Sequence, residues 1–380
     1  MDIITRRQFI SSAALTLPTA AGLAGCSAGS DPTGYEALAT QTWQTDIPVG
    51  IAGGVLNQEL VRCATLAPSS HNTQCWKFAL EDQAITILPD LSRRCPAVDP
   101  DDHHLFVSLG CAAENLTQAA LSQGLHAEAH FKNLRAAIHL RLTPTTAKSS
   151  PLFKAMAARQ CTRGDYDGKA LTLEELALLE RAGTSSGVRM LLLTERADIE
   201  RVLEHVVLGN SAQMTDPAFI KELKSWIRFN GSDAVRRRDG LFSVSSGNPS
   251  IPTWLGDLAF RWLFTTKSEN DKIARQIRSS AGMAIFVGQV PSGVTTSTDD
   301  RARWVEVGRC YQRFALQATA LGIRNAFLNQ PVEVPSVRTK FAAAIGLAGQ
   351  RPDLVVRFGR GSTLPPSLRR PVQAVLVTPA

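Results

Sequence analysis

Two helical stretches 198 residues apart share one pattern, and this repeat constrains the fold of the 380-residue chain more than any other feature. One reads Gly110-Cys111-Ala112-Ala113-Glu114-Asn115-Leu116 and continues through Ala120 to Gly124-Leu125. The other reads Gly308-Arg309-Cys310-Tyr311-Gln312-Arg313-Phe314 and continues through Ala318 to Gly322-Ile323. In each, the later glycine is suited to end the helix, because a C′ residue often takes the left-handed conformation that glycine adopts without a Cβ penalty. Leu116 matches Phe314 and Ala120 matches Ala318, so the same apolar face recurs.

A second pair of landmarks agrees. Ala67-Pro68-Ser69-Ser70 follows an expected helix that begins near Asn57 and turns Leu60, Val61 and Ala64 inward. Ala182-Gly183-Thr184-Ser185-Ser186 follows a helix beginning at Thr172, where Thr172 and Glu175 fit a reciprocal capping box. The serine pairs lead into strands expected at Trp76–Leu80 and Val188–Leu193. They lie 116 residues apart, so the second copy carries 82 extra residues between its landmarks. The expected division is a truncated unit at 55–150 and a fuller unit at 151–380. The extra residues include 229–252, where Gly231, Gly240, Gly247, Pro249 and Pro252 alternate with serines. A loop this long is usually functional or disordered. Within it, Arg236-Arg237-Arg238-Asp239 reads as a solvated face.

The balance of 41 Lys+Arg against 34 Asp+Glu, with 44% hydrophobic residues, is ordinary for a globular protein. It excludes a disordered, collagen-like or polytopic membrane chain. A net charge of +7 spread over this length gives no concentrated basic face for nucleic acid. The first 26 residues read as an address. Thr5-Arg6-Arg7-Gln8-Phe9-Ile10 resembles a twin-arginine (Tat) export signal, and Leu23-Ala24-Gly25-Cys26 resembles a bacterial lipobox that would place a lipid on Cys26. Between them, the apolar stretch Ala13–Ala24 is too short for a spanning helix. Residues 27–54, rich in Gly, Ser, Thr and Ala, then read as a tether. The expected location is the periplasm or cell envelope, reached through the Tat machinery and held at the membrane by the lipid. The six remaining cysteines form no C-x-x-C, and their disulfide state stays open.

The run Ala67-Pro68-Ser69-Ser70-His71-Asn72-Thr73-Gln74-Cys75-Trp76-Lys77-Phe78 resembles the A-P-S-S-x-N-x-Q-P-W-x-F signature of FMN-dependent nitroreductases, with Cys75 in place of the usual Pro. Arg159-Gln160-Cys161-Thr162-Arg163 resembles that family's R-x-S-x-R segment, with Cys161 in place of Ser. Arginine suits phosphate because its planar fork makes paired, charge-assisted hydrogen bonds. Asn329-Gln330-Pro331-Val332-Glu333 resembles the P-x-E-G turn, with Val334 where Gly is usual, and Leu368-Arg369-Arg370-Pro371 resembles the basic tail. The fused arrangement is most similar to the Acg-type branch of the family. The resemblance implies an α+β fold: a mixed, mostly antiparallel sheet flanked by helices, duplicated as an intramolecular pseudo-dimer. It implies FMN held by Pro68, Ser69, Ser70, Asn72, Gln74, Arg159, Cys161, Arg163, Gln330, Pro331, Glu333, Arg369 and Arg370. The first unit keeps the serine–asparagine loop and the second keeps the arginine segment, which implies one composite site within one chain. Residues 229–252 are the candidate lid. The flavin carries the redox step, so no side chain is nominated as catalytic. The implied activity is oxidoreduction of nitroaromatic, quinone-like or other electron-poor small molecules. The electron donor is left open, with NAD(P)H a candidate, and the alternative is a protein that sequesters flavin or senses redox state without turnover.

Gly183-Thr184-Ser185-Ser186-Gly187 matches G-x-S-x-G, but a nucleophile elbow needs a strand before it and a helix after, the reverse of the order expected here. Asp99, Asp101, Asp102, His103 and His104 are read as a helix start, where acidic groups favour the dipole, rather than as a metal site. No dinucleotide or P-loop glycine motif is present.

Overall fold

The computed structural model describes residues 32–48, 50–289 and 300–378. The expected signal of residues 1–26, with Cys26, lies outside the described residues. The N-terminal half runs α1 (Pro32–Thr42), α2 (Gly53–Thr65), β1 (Trp76–Glu81), β2 (Ala84–Pro89), α3 (His103–Ser122), β3 (Leu125–Lys132), β4 (Ala137–Pro144) and the short α4 (Pro151–Ala155). The C-terminal half opens with α5 (Leu173–Gly183) and β5 (Val188–Leu193). A largely helical excursion follows: α6 (Arg196–Met214), α7 (Pro217–Trp226), β6 (Ile227–Arg228), α8 (Gly231–Arg237), β7 (Leu241–Phe242), α9 (Thr253–Leu263) and α10 (Thr266–Arg278). It closes with β8 (Gly282–Gly288), α11 (Asp300–Ala320), β9 (Arg324–Phe327), α12 (Gln330–Glu333), α13 (Pro335–Ala344), β10 (Leu354–Gly359) and β11 (Leu376–Val377).

The architecture is α+β, as expected. One sheet has the order β11-β1-β2-β4-β3 and the other β5-β8-β10-β9. All pairings in these two sheets are antiparallel except the parallel docking of β11 on β1, where Phe78 faces Leu376. The succession α2-β1-β2-α3-β3-β4 has the same strand order as α5-β5-β8-α11-β9-β10. The extra residues of the second half fall between β5 and β8, where the first half has only the tight turn from β1 to β2. Among the described residues, no helix is long and apolar enough to cross a membrane.

The halves meet where α3 crosses α11, and the repeat glycines form that crossing. A Cβ on Gly110 would sit 2.0 Å from the Val305 carbonyl oxygen, and one on Gly308 would sit 2.0 Å from the Val107 carbonyl oxygen. Such reciprocity is the geometry of an isologous interface, in which each face repeats on its partner. Around it, Leu109, Ala112, Leu116, Val307, Phe314 and Ala318 belong to one continuous buried core. The later glycines do what the pattern asked: Gly124 has φ +74° and Gly322 has φ +71°.

Three expectations are corrected. Part of the expected tether is a docked helix, because Tyr35 and Ala39 bury against Ala234, Phe242 and Leu368. The segment 229–252 is not an open loop. Asn230 caps α8 by accepting from Asp233 N–H, and β7 pairs with β6. The basic run is only partly a solvated face. Arg236 and Arg237 are exposed and pair with Asp233, but the largely buried Asp239 makes an ion pair with Arg228 (2.7 Å) and a second with Arg93. Replacing Asp239 with Asn leaves two largely buried arginines without a counter-charge, a change that costs about 3–5 kcal/mol when such a pair is broken. Trypsin cleavage at Arg236 and Arg237 is therefore expected to accelerate at least about tenfold; an unchanged rate would show that this pair does not hold the segment.

Candidate functional site

The loop after α2 is conformationally demanding. His71, Asn72 and Gln74 have φ of +48°, +52° and +54°, a region costly for residues with a Cβ. The polar side chains explain how it is held. Asn72 Nδ2 donates to the carbonyls of Gly240 (3.0 Å) and Leu368 (3.2 Å), and its Oδ1 accepts from Arg369 (3.0 Å). Gln74 Nε2 donates to the Arg238 carbonyl (2.8 Å), while its Oε1 accepts from Arg370 N–H (2.7 Å). These two residues knit the loop to the 238–240 segment and to the C-terminal arm.

The arginine segment comes from the other half. Thr162 N–H donates to the carbonyl of Asn325, near the start of β9, which lays the segment beside that strand. Arg357, fully buried without a carboxylate partner, donates to the carbonyls of Thr162, Gly164 and Gln276, with its guanidinium 4.1 Å from the Tyr166 ring centre. It thereby fixes the backbone that carries Arg163.

Loop, arginine segment and the β9–α12 turn converge on two cavities with shared walls. The larger is about 450 Å³ and the smaller about 90 Å³, and Pro68, Ser69, His71 and Arg163 line both. Ser70, Gln330 and Glu333 line the larger one, as do Phe229, Leu241, Ser243 and Ile251 of the expected lid segment. Asn72, Arg159, Cys161 and Arg369 line the smaller one, capped by Trp43. The larger cavity has a polar end around His71, His104, Arg163 and Gln213. Its apolar region is formed by Phe219, Leu223, Phe229, Phe260 and Phe264.

The smaller cavity is strongly cationic. Arg159 is 2% exposed; one terminal nitrogen donates to the Leu66 carbonyl, and its Nε and other terminal nitrogen have no partner. Arg369 lies beside it, with its guanidinium 4.8 Å from the Trp43 ring, and donates to the carbonyls of Thr65, Leu66 and Ala67. Burial, with repulsion from Arg159, pushes Arg369 down to about 9. Two buried guanidiniums, one of them with unpartnered donors, and no facing carboxylate among the described residues form a receptor for an anion.

Most of the expected site residues are brought together, and some are not. Gln74, Pro331 and Arg370 line neither cavity. Gln74 and Arg370 bond each other and the surrounding backbone, and Pro331 is buried at the start of α12. Arg369, one of the residues expected to hold FMN, has all three nitrogens engaged with protein oxygens, whereas Arg159 has free donors. Sequence reasoning passed over Trp43, placed in the presumed tether, and His71, a variable position inside the motif. The G-x-S-x-G run lies between α5 and β5, the wrong order for a nucleophile elbow. All six cysteines after Cys26 are free thiols.

His71 gives the site an acid sensitivity. Burial, reinforced by Arg163 and His104, holds its imidazole down at about 4, and its Nε2 is unpartnered. A histidine lowered on folding stays neutral while the unfolded chain takes a proton, so its contribution to stability falls as pH drops from 6.5 toward 4. His71→Gln is expected to flatten that part of the stability–pH curve measured by urea unfolding. A curve unchanged by the substitution would contradict the assignment.

No family model matches the chain. It is similar to two Mycobacterium tuberculosis proteins (strains CDC 1551 / Oshkosh and ATCC 25618 / H37Rv), each named "Putative NAD(P)H nitroreductase". Each is 26% identical over 330 residues, covering 83% of this chain and 89% of the relative. Solved structures with partial likeness include one described as a putative nitroreductase from Anabaena variabilis. Its TM-score is 0.43 at 11% identity, covering 73% of this chain and 69% of that one. Another is the FMN-dependent nitroreductase NfnB of Mycobacterium smegmatis in complex with NADPH, with a TM-score of 0.36 at 14% identity, covering 60% of this chain and 94% of that one.

Proposed function

We propose that this chain is an FMN-dependent oxidoreductase of nitroreductase type, with one composite flavin site per chain inside an intramolecular pseudo-dimer of Acg type. The observation that carries the reading is Arg159. A buried guanidinium with two unpartnered donors beside a small cavity fits a phosphate group, and that cavity adjoins a larger one able to take a planar ring. The names of the two mycobacterial relatives support the same class. FMN, when bound, supplies two-electron transfer.

The remaining work falls to the chain. Arg159 and Arg163 bind the phosphate; among the described residues the Arg163 side chain has no hydrogen-bond or ion-pair partner to compete for it. Ser69, Ser70 and Gln330 offer hydrogen bonds to the polar edge of the ring system. Phe229, Leu241 and Ile251 exclude water from the opposite side, and the aromatic region selects apolar, electron-poor acceptors such as quinones and nitroaromatics. NAD(P)H is the proposed donor. The test is anaerobic turnover of flavin-loaded protein with NADPH or NADH and menadione or a nitroaromatic. Steady oxidation of the nicotinamide is expected, and a flavin that stays oxidised with every donor would overturn the enzyme reading.

A second reading has an observation of its own. The 229–252 segment forms a folded wall over the cavity, which favours a protein that holds flavin out of reach. Rapid oxidation of the dithionite-reduced protein by menadione would decide against sequestration. We further propose that residues 1–26 direct Tat export and that Cys26 carries the lipid. The mass of the mature chain from bacterial membranes is expected to correspond to a lipidated terminus at Cys26; an intact Met1 would contradict it.

A further inference from the structure

At the polar end of the larger cavity, the buried His104 and the largely buried Glu333 both face the space and stand close to each other. Glu333, the last residue of α12, accepts at Oε2 from Gln213 Nε2 (2.6 Å), and its Oε1 lies 4.0 Å from His104 Nδ1. That same Nδ1 is 3.6 Å from Oδ1 of Asp99. Asp99 is fixed in place, because its two oxygens accept the backbone N–H groups of His104 and Leu105 (both 3.0 Å). Behind this pair, His103 Nε2 lies 3.1 Å from Asp353 Oδ1, and the two imidazole rings are 4.5 Å apart. Asp353 is in turn 3.9 Å from Arg351, which pairs with the half-exposed Asp101 at the surface. His103 and Asp353 thus lie between the cavity wall and the surface, with His103 Nε2 and Asp353 Oδ1 making no hydrogen bond.

Their charge states suit that arrangement. Burial opposes the His104 cation, but the Asp99 carboxylate 3.6 Å away and the charge of Glu333 outweigh this and raise it above the usual histidine range. Burial likewise opposes the Asp99 anion, yet His104 and the helix-start amides hold it low. Burial raises Glu333, against the pull of His104 and Gln213. Burial, with repulsion from His104 and Arg351, keeps His103 neutral, while it lifts Asp353 to about 6. His71, Cys111, Arg163, Glu269, Lys272 and Arg357 are the other charged or titratable groups in the cavity lining.

We propose that Glu333 is the proton donor to the electron acceptor reduced in this cavity, and that the His104–Asp99 pair positions and reloads it. The inference rests on the oxidoreductase reading above. Reduction of a quinone to a hydroquinone takes two electrons and two protons. FMN, when bound, would supply a hydride, which accounts for both electrons and one of the protons. The carboxylic acid of Glu333 gives the second proton to the quinone oxygen and is left as carboxylate. His104 returns a proton to it and regains one from solvent.

Two measurements test this. The first compares anaerobic reduction of menadione, which needs protons, with that of ferricyanide, which takes one electron and none. In Glu333→Gln the menadione-to-ferricyanide rate ratio is expected to fall about 100-fold, the usual scale of a positioned acid. Glu333→Asp should recover part of it. A ratio within twofold of the native value would overturn the proposal. The second reads the chain without flavin. With ¹⁵N-histidine labelling and His104→Gln for assignment, His104 is expected to be an imidazolium at pH 6.5 in the native chain and neutral in Asp99→Asn. A neutral His104 in the native chain sinks the proton-donor assignment, whereas failure to bind flavin sinks only the cofactor reading.

Discussion

Replacing Gly308 with alanine is expected to destabilise the chain by at least about 3 kcal/mol, at the upper end of what overpacking costs in a core. The added methyl would sit 2.0 Å from the Val107 carbonyl oxygen, and backbone on a packed helix cannot turn aside as a side-chain tip can. Relief requires α3 and α11 to separate, which loosens the core that both halves share. Gly110→Ala should cost a similar amount, because its methyl meets Val305 in the reciprocal geometry. The double substitution should cost less than the sum, since helices already displaced by one methyl leave room for the other. Gly187→Ala is the control. Its new methyl would meet only the flexible Glu306 side chain at 3.7 Å, and a change within about 1 kcal/mol is expected. Urea unfolding monitored by tryptophan fluorescence reads all four. A Gly308→Ala protein as stable as the native chain would mean that the helices do not cross this closely.

Replacing Arg159 with methionine is expected to weaken FMN binding about 100-fold, corresponding to the loss of one or two charge-assisted hydrogen bonds at about 1.5–3 kcal/mol each. Methionine keeps most of the volume against Trp43 and removes both unpartnered donors. It also relieves repulsion on Arg369, which burial beside Arg159 pushes down. Thermal stability without flavin should therefore hold or rise while flavin affinity drops, a combination that simple damage to the fold cannot produce. Flavin fluorescence quenching measures the affinity. Equal affinity in the two proteins would remove Arg159 from the site.

Much of the scaffold was legible because it follows local rules. The capping box at Thr172 and Glu175 is present, β5 spans Val188–Leu193 as expected, and both helix-ending glycines take positive φ. The landmarks also located the extra residues of the second half, which fall between β5 and β8. What local rules could not show was the division of labour inside the motifs. Asn72 and Gln74 have the residue types expected of ligands, but their partners are backbone carbonyls more than 160 residues away in sequence. Arg159 and Arg369 look equivalent as residues; only the fold decides that one has all its nitrogens engaged and the other keeps free donors. Trp43 was hidden because residues 27–54 have a linker's composition, while the apolar positions that dock them, Tyr35 and Ala39, are few. His104 was visible as a histidine at a helix start, but its neighbour Glu333 arrives from 229 residues further along the chain.

The most direct test of the composite site is the flavin content of the chain lacking residues 1–26, produced in the cytoplasm and read from its visible absorption spectrum. One oxidised FMN per chain is the expected result, because the loop of one half and the arginine segment of the other line the same two adjoining cavities. Two per chain, or a colourless protein that FMN cannot reconstitute, would contradict it.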